Sequence, residues 1–231
     1  MTGFTQFNNY QASPSKIKLN LPTMQNPYYE EFKQYCESEC PPDPKNLSMK
    51  KYMEQLSKMK EDPLQARCRF TNQYAWSIPT EEAVNLVIQF AGSSRIIDMA
   101  CGTGYWSWLF AQKGANVVAI DDGSEDVITV DDDGSKIKKP IHFEDRIMTD
   151  GIQFLKLTDT AQDCMFLSWA RTIDFVNHFK GDKLVIVGEN IGGCTASLPK
   201  NSRWELTKNF KIPTWSFVHD TVSFYTRGHN K

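Results

Sequence analysis

The chain has 231 residues, 40% hydrophobic, 12% aromatic and 23% charged. That supplies one sizeable core with an appended segment rather than two full domains. With 26 Lys and Arg against 28 Asp and Glu the formal net charge is -2, which gives no general pull toward a phosphate backbone and disfavours nucleic acid as a partner. No apolar run approaches the roughly 20 residues that span a bilayer, and the first residues lack the basic start and apolar stretch of a signal peptide. A cytoplasmic chain with no membrane partner and reduced thiols is expected from its six dispersed cysteines. Cys36 and Cys40 stand four apart with no second metal-ligand pair nearby, so no metal site is expected.

Residues 1–26, rich in Asn, Gln, Ser, Thr and Pro, read as a mobile segment. Residues 27–79 read as a helical extension. It has one helix over 28–36, a break at Cys40-Pro-Pro-Asp-Pro44, and a second helix over 47–60. There Met49, Met53, Leu56 and Met59 form a stripe expected to pack on the main body. Residues 80–231 form the principal domain. Thr80 is a good N-cap, with Glu81 and Glu82 in the first turn where carboxylates favour the positive helix end. The apolar run ending at Met99, a glycine-bearing turn, an aromatic helix from Tyr105 and the strand NVVAI (116–120) make a βαβ unit of a parallel sheet.

Further along, a hairpin is expected around Asp131-Asp-Asp-Gly134, whose spacing does not suit an EF-hand. A weak strand lies within 142–147, clear strands at 164–168 and 184–188, a helix at 171–179, and two β-rich segments at 204–210 and 221–226. The expected fold is α/β: a Rossmann-like, seven-stranded, mostly parallel sheet with helices on both faces and a closing edge hairpin.

The tract Ile96-Ile-Asp98-Met-Ala-Cys-Gly102-Thr-Gly104-Tyr carries the chemistry. Gly102 and Gly104 allow positive φ and close approach of backbone amides to a ligand. Asp98 stands at the tip of the first strand. Asp121 closes the second, where a carboxylate can bond ribose hydroxyls. A pyrophosphate would be repelled by that acidic tip, and the third glycine of a dinucleotide turn is Ser107 here. A ligand with an ammonium and a sulfonium suits two carboxylates, which points to S-adenosylmethionine.

IIDMACGTGYW followed by VVAID resembles the first and second motifs of the class I S-adenosylmethionine-dependent methyltransferases, with similarity running from about Thr80 onward. The resemblance implies that Asp98 and the backbone of Ala100, Cys101, Gly102, Thr103 and Gly104 hold the methionine end, and that Asp121 holds the ribose. It also implies that Asp150 and Gly151 lie beside the adenine. Ala100 replaces the family's usual first glycine. The Asn/Asp-Pro-Pro-Tyr signature of amino-methylating members is absent; Ser168-Trp169-Ala170-Arg171 stands there. Trp169 can wall a cation-friendly pocket, and Arg171 can bind an acidic acceptor or begin a helix.

Ser168, Trp169 and Glu189 are the catalytic candidates. Glu189 is a possible base at the head of a loop containing Gly192 and Gly193. Residues Tyr74-Ala-Trp76-Ser-Ile-Pro79 either fold over the cofactor or plug the helix layer. His219-Asp220 is a further acid/base pair, set against an ordinary structural histidine. The expected function is methyl transfer to an acceptor, a small molecule ahead of a protein side chain. The alternatives are a non-catalytic cofactor- or partner-binding module and, third, an NAD(P)-dependent oxidoreductase.

Overall fold

In a computed structural model the described residues are 22–39, 47–130, 136–189, 194–199 and 202–228. Pro27–Glu39 (α1), Met49–Leu56 (α2) and Pro63–Gln73 (α3) form the helical extension. Glu81–Ala91 (α4) leads to Ile96–Met99 (β1), Tyr105–Gln112 (α5) and Val117–Asp121 (β2). The pair Val127–Val130 (β3) and Lys136–Lys138 (β4) is an antiparallel excursion. Ile147–Met148 (β5), Gly151–Leu157 (α6), Cys164–Ser168 (β6), Phe175–His178 (α7) and Lys183–Glu189 (β7) continue the α/β rhythm, and Trp204–Lys211 (β8) and Asp220–Arg227 (β9) complete it.

The main sheet has seven strands in the order β5-β2-β1-β6-β7-β9-β8. Its first five strands are parallel, while β9 runs antiparallel to both β7 and β8. The strand order reverses between β1 and β6, so ligands are expected at the carboxyl ends there. Alternation along β1 divides the core. Ile96 joins α1, α3, α4 and α5 on one face, and Ile97 and Met99 join α6 and α7 on the other. This is the expected Rossmann-like α/β sheet.

Local signals explain most boundaries. The Thr80 hydroxyl accepts from the Ala83 amide, and Gly92 ends α4 at φ 66°. Differences from expectation have physical causes. The Met stripe packs on the body only at its end: Met59 lies against the core, but Met49 is 75% and Met53 56% exposed, and Tyr52 is the buried residue of α2. Tyr52 meets Phe217 edge-on at 5.7 Å, and the ring buries more area on that short helix than a thioether can. The expected helix over 171–179 shrinks to the single turn α7, and the strand within 142–147 to two residues ending at Met148.

One helix, α3, is additional. Its start is written in the sequence: Asp62 accepts from the Leu64 and Gln65 amides, and Pro63 occupies the first turn. Residues 22–26, counted with the mobile segment, are bonded to the body. Asn26 is buried, donates to the Pro79 carbonyl and accepts from the Tyr105 hydroxyl. Cys40 to Pro44, Asp131 to Gly134, and Gly192 and Gly193 lie outside the described residues, as do residues 1–21.

Candidate functional site

A cleft of about 470 Å³ opens at the carboxyl ends of β1, β2 and β6, within the size range of small-molecule sites. Its floor is the turn from β1 into α5. Gly102 and Gly104 have φ of 55° and 72°, and Ala100 also takes a left-handed φ of 57°. Gly104 admits no side chain: a Cβ there would lie 2.7 Å from Phe143 Cβ. The turn is pinned from several sides. The Thr103 hydroxyl donates to the Tyr74 carbonyl, and the His142 amide donates to the Thr103 carbonyl at 2.8 Å. Arg146, clamped on Asp126, donates to the Gly102 carbonyl.

Both strand-tip carboxylates line the cleft. Asp98 is buried and accepts from the Ser107 hydroxyl at 2.6 Å. Burial, with a smaller push from the Asp121 charge, raises its pKa to about 7 against the pull of Ser107. Asp121 takes the Gly102 and Gly123 amides, each at 2.7 Å. Burial raises its pKa too, opposed by those amides and by Arg146. Cys101 also lines the cleft, and burial with the two nearby carboxylates pushes its thiol far up, so it is no nucleophile.

The opposite rim holds Thr149, Asp150, Gly151 and Phe175. Asp150 caps α6 by accepting from the Gln153 amide at 2.7 Å. A Cβ on Gly151 would meet Met99 Sδ at 2.6 Å and Phe175 at 2.7 Å, so the backbone packs flush there. Ala100 to Thr103, Asp98, Asp121, Asp150 and Gly151 thus share one cavity, and Gly104 heads α5 behind it.

The catalytic candidates separate. Ser168 and Trp169 line the cleft; Glu189 does not. Its two oxygens accept the His219 amide at 3.1 Å and the Cys194 amide at 3.0 Å, so it fastens loops. His219 is exposed, and its neighbour Asp220 is buried with both oxygens on the Trp169 indole N–H, at 2.9 and 3.0 Å. Burial, then the Glu189 charge, raise the Asp220 pKa to about 7 against that bond and Arg67. Asp220 therefore positions Trp169, which sits at a left-handed φ of 54°.

Trp169 stacks on Trp76 at 5.4 Å and 16°. The segment after α3 divides: Tyr74 is buried in the core, in line with the plugging role, while Trp76 lines the cleft. Ser77 links β6 to α5, 2.9 Å from the Ser168 hydroxyl and accepting from the Trp106 indole at 3.0 Å. The cation-friendly face expected of Trp169 belongs to this chain's own Arg67, 5.0 Å from the ring centre. Arg171 pairs with Glu125 at 2.5 Å. Arg67 and Arg146 were not singled out from sequence, whereas Asp220 was, as half of an acid/base pair with His219 rather than as the partner of Trp169. Asp62-Pro63 could have located the helix of Arg67, but nothing local marks Arg146. Among the described residues no cluster of His, Cys, Asp or Glu is placed to hold a metal, and no helix is long and apolar enough to cross a membrane.

Fold and site define an α/β Rossmann-like scaffold with an acidic, glycine-turned cleft at its topological switch point. No protein-family model and no curated protein matches the chain. Solved structures similar to it include magnesium protoporphyrin IX methyltransferase from Synechocystis PCC 6803 with bound SAH. That match has TM-score 0.45 and 11% identity, over 87% of this chain and 100% of the other. Another is 1,6-didemethyltoxoflavin-N1-methyltransferase from Burkholderia thailandensis, with TM-score 0.42 and 11% identity over 64% of this chain and 78% of that one. The bifunctional kinase-methyltransferase WbdD is similar at TM-score 0.42 and 9% identity over 64% of this chain, which spans only 40% of its length.

Proposed function

We propose that this protein is an S-adenosylmethionine-dependent methyltransferase acting in the cytoplasm on a small molecule. The carrying observation is the pair Asp98 and Asp121 in one cleft, flanking a left-handed glycine turn. Asp98 is buried in front of that cleft with a hydroxyl as its bonding partner. A buried carboxylate of this kind is stabilised by a cation brought by a ligand. Asp98 and the amides of the turn would hold the methionine end, Asp121 the ribose, and Asp150 with Gly151 the adenine edge. The cofactor supplies an electrophilic methyl on a sulfonium.

The chain's own contribution is orientation and exclusion of water. Trp76 and Trp169 would wall the acceptor side, with the Ser168 hydroxyl, held by the buried Ser77, beside them. Calorimetry with S-adenosylmethionine and with NAD(H), followed by an assay for S-adenosylhomocysteine release, tests the reading. Saturable binding of the sulfonium cofactor, weakened in Asp98→Ala and Asp121→Ala, is expected; selective NAD binding overturns it. A second reading, a binding module without turnover, is favoured by the absence of Glu189 from the cleft and of the Pro-Pro signature at Ser168 to Arg171. Binding without S-adenosylhomocysteine release across an acceptor panel would support it.

A further inference from the structure

Resting on the methyl-transfer reading, a side chain outside the cofactor half of the cleft specifies the chemistry of the acceptor. Arg67, on α3, lines the cleft. Its guanidinium lies 5.0 Å from the centre of Trp169 and 5.4 Å from that of Trp76. Its Nε is buried without a hydrogen-bond partner. The other arginine lining the cleft, Arg171, is matched with Glu125, and Arg146 behind the glycine turn is matched with Asp126. Two ring faces can balance the positive charge of Arg67, but they do not receive its N–H donors. A planar fork of such donors fits a carboxylate or phosphate.

Charge along the cleft points the same way. Asp98 and Asp121 line the cleft with the glycine turn, whereas Arg67 and Lys139 line it beside Trp76. The carboxylates near that pair are Glu125, shared by Lys139 and Arg171, and the buried Asp220, whose pKa is raised to about 7. Lys139 lies 6.0 Å from the centre of Trp76 and is only loosely held by Glu125, at 3.9 Å. A cationic acceptor entering there would meet Arg67 across the ring faces it needs. An anionic one gains at both steps, by pairing with Arg67 and by facing the sulfonium.

We propose that the acceptor is a small molecule bearing an oxyanion, carboxylate or phosphate, which Arg67 receives beside the Trp76–Trp169 stack. The oxyanion anchors the acceptor and leaves a separate nucleophilic atom to face the methyl.

Tryptophan fluorescence of the full chain is titrated with benzoate, inorganic phosphate and tetramethylammonium, each with and without S-adenosylhomocysteine. Saturation by benzoate or by phosphate, but not by tetramethylammonium, is expected, and the better anion identifies the headgroup. Arg67→Gln should weaken that response by about tenfold or more while leaving S-adenosylhomocysteine affinity within a small factor. Arg67→Lys should fall between. Saturation by tetramethylammonium alone, silence toward both anions, or an anion response unchanged in Arg67→Gln overturns the proposal; the first two outcomes need no variant to fold. Failure of S-adenosylhomocysteine to bind would instead sink the methyl-transfer reading, and the titrations without it still judge Arg67.

Discussion

At the residue scale, the proposed role of Asp98 would couple cofactor binding to pH. Its carboxyl must be ionised to meet an ammonium, and burial holds its pKa at about 7 in the ligand-free protein. Cofactor affinity is therefore expected to fall as pH drops below about 7, approaching about tenfold per unit, and proton release on binding should appear in calorimetry run in buffers of different ionisation enthalpy. A flat profile through this range would refute the assignment. Stability has the opposite sign. A carboxyl whose folded pKa is raised stabilises below its unfolded value near 4, and this contribution is lost as pH rises through about 7. Asp98→Asn should then stabilise the ligand-free protein at pH 8 by on the order of a few kcal/mol, read as a higher melting temperature, while weakening binding of the proposed cofactor. Asp98 and Asp121 were legible in sequence because a strand tip, a glycine turn and the next strand are neighbours in the chain. Trp169 was legible as a residue but not in its role, because its fixing partner Asp220 lies 51 positions away.

Among elements, the turn between β1 and α5 is the least tolerant. A methyl on Gly104 would crowd Phe143 at φ 72°, so Gly104→Ala should cost about 1–3 kcal/mol and weaken cofactor binding. Unchanged denaturant midpoints would contradict this. The helical extension makes a second case. Tyr28 stacks on Tyr74 at 5.1 Å and on Phe70 at 5.5 Å, and its hydroxyl accepts from the Trp215 indole at 3.1 Å. Tyr28→Phe strands that buried donor and should cost about 1–3 kcal/mol in chemical denaturation. Strands β6 and β7 were readable because buried apolar runs mark them plainly, and β8 and β9 from their aromatic and β-branched residues, although β8 is largely exposed. The face of α2 was not, since eight residues with methionine on one side and Tyr52 on another leave the choice to tertiary packing.

Across the whole molecule, the extension and the sheet share one core. Tyr28, Phe32, Tyr35 and Phe70 join Phe166, Trp215 and Phe224 in a single buried cluster. One cooperative unfolding transition is expected by calorimetry, and removal of residues 1–79 should leave an insoluble remainder; two separated transitions would show independent units. The βαβ order and sheet type followed from the sequence, whereas this shared core did not, because it joins residues from opposite ends of the chain. Strand β9 extends that point to synthesis. It is inserted between β7 and β8 yet is made after both. A nascent chain emerging from the ribosome therefore carries β7 with an unclaimed hydrogen-bonding edge and β8 with nothing to pair to. Not until Asp220 emerges can the Trp169 indole be fixed, so this wall of the cleft is set last during translation, and an early stop would yield a sticky, half-finished sheet.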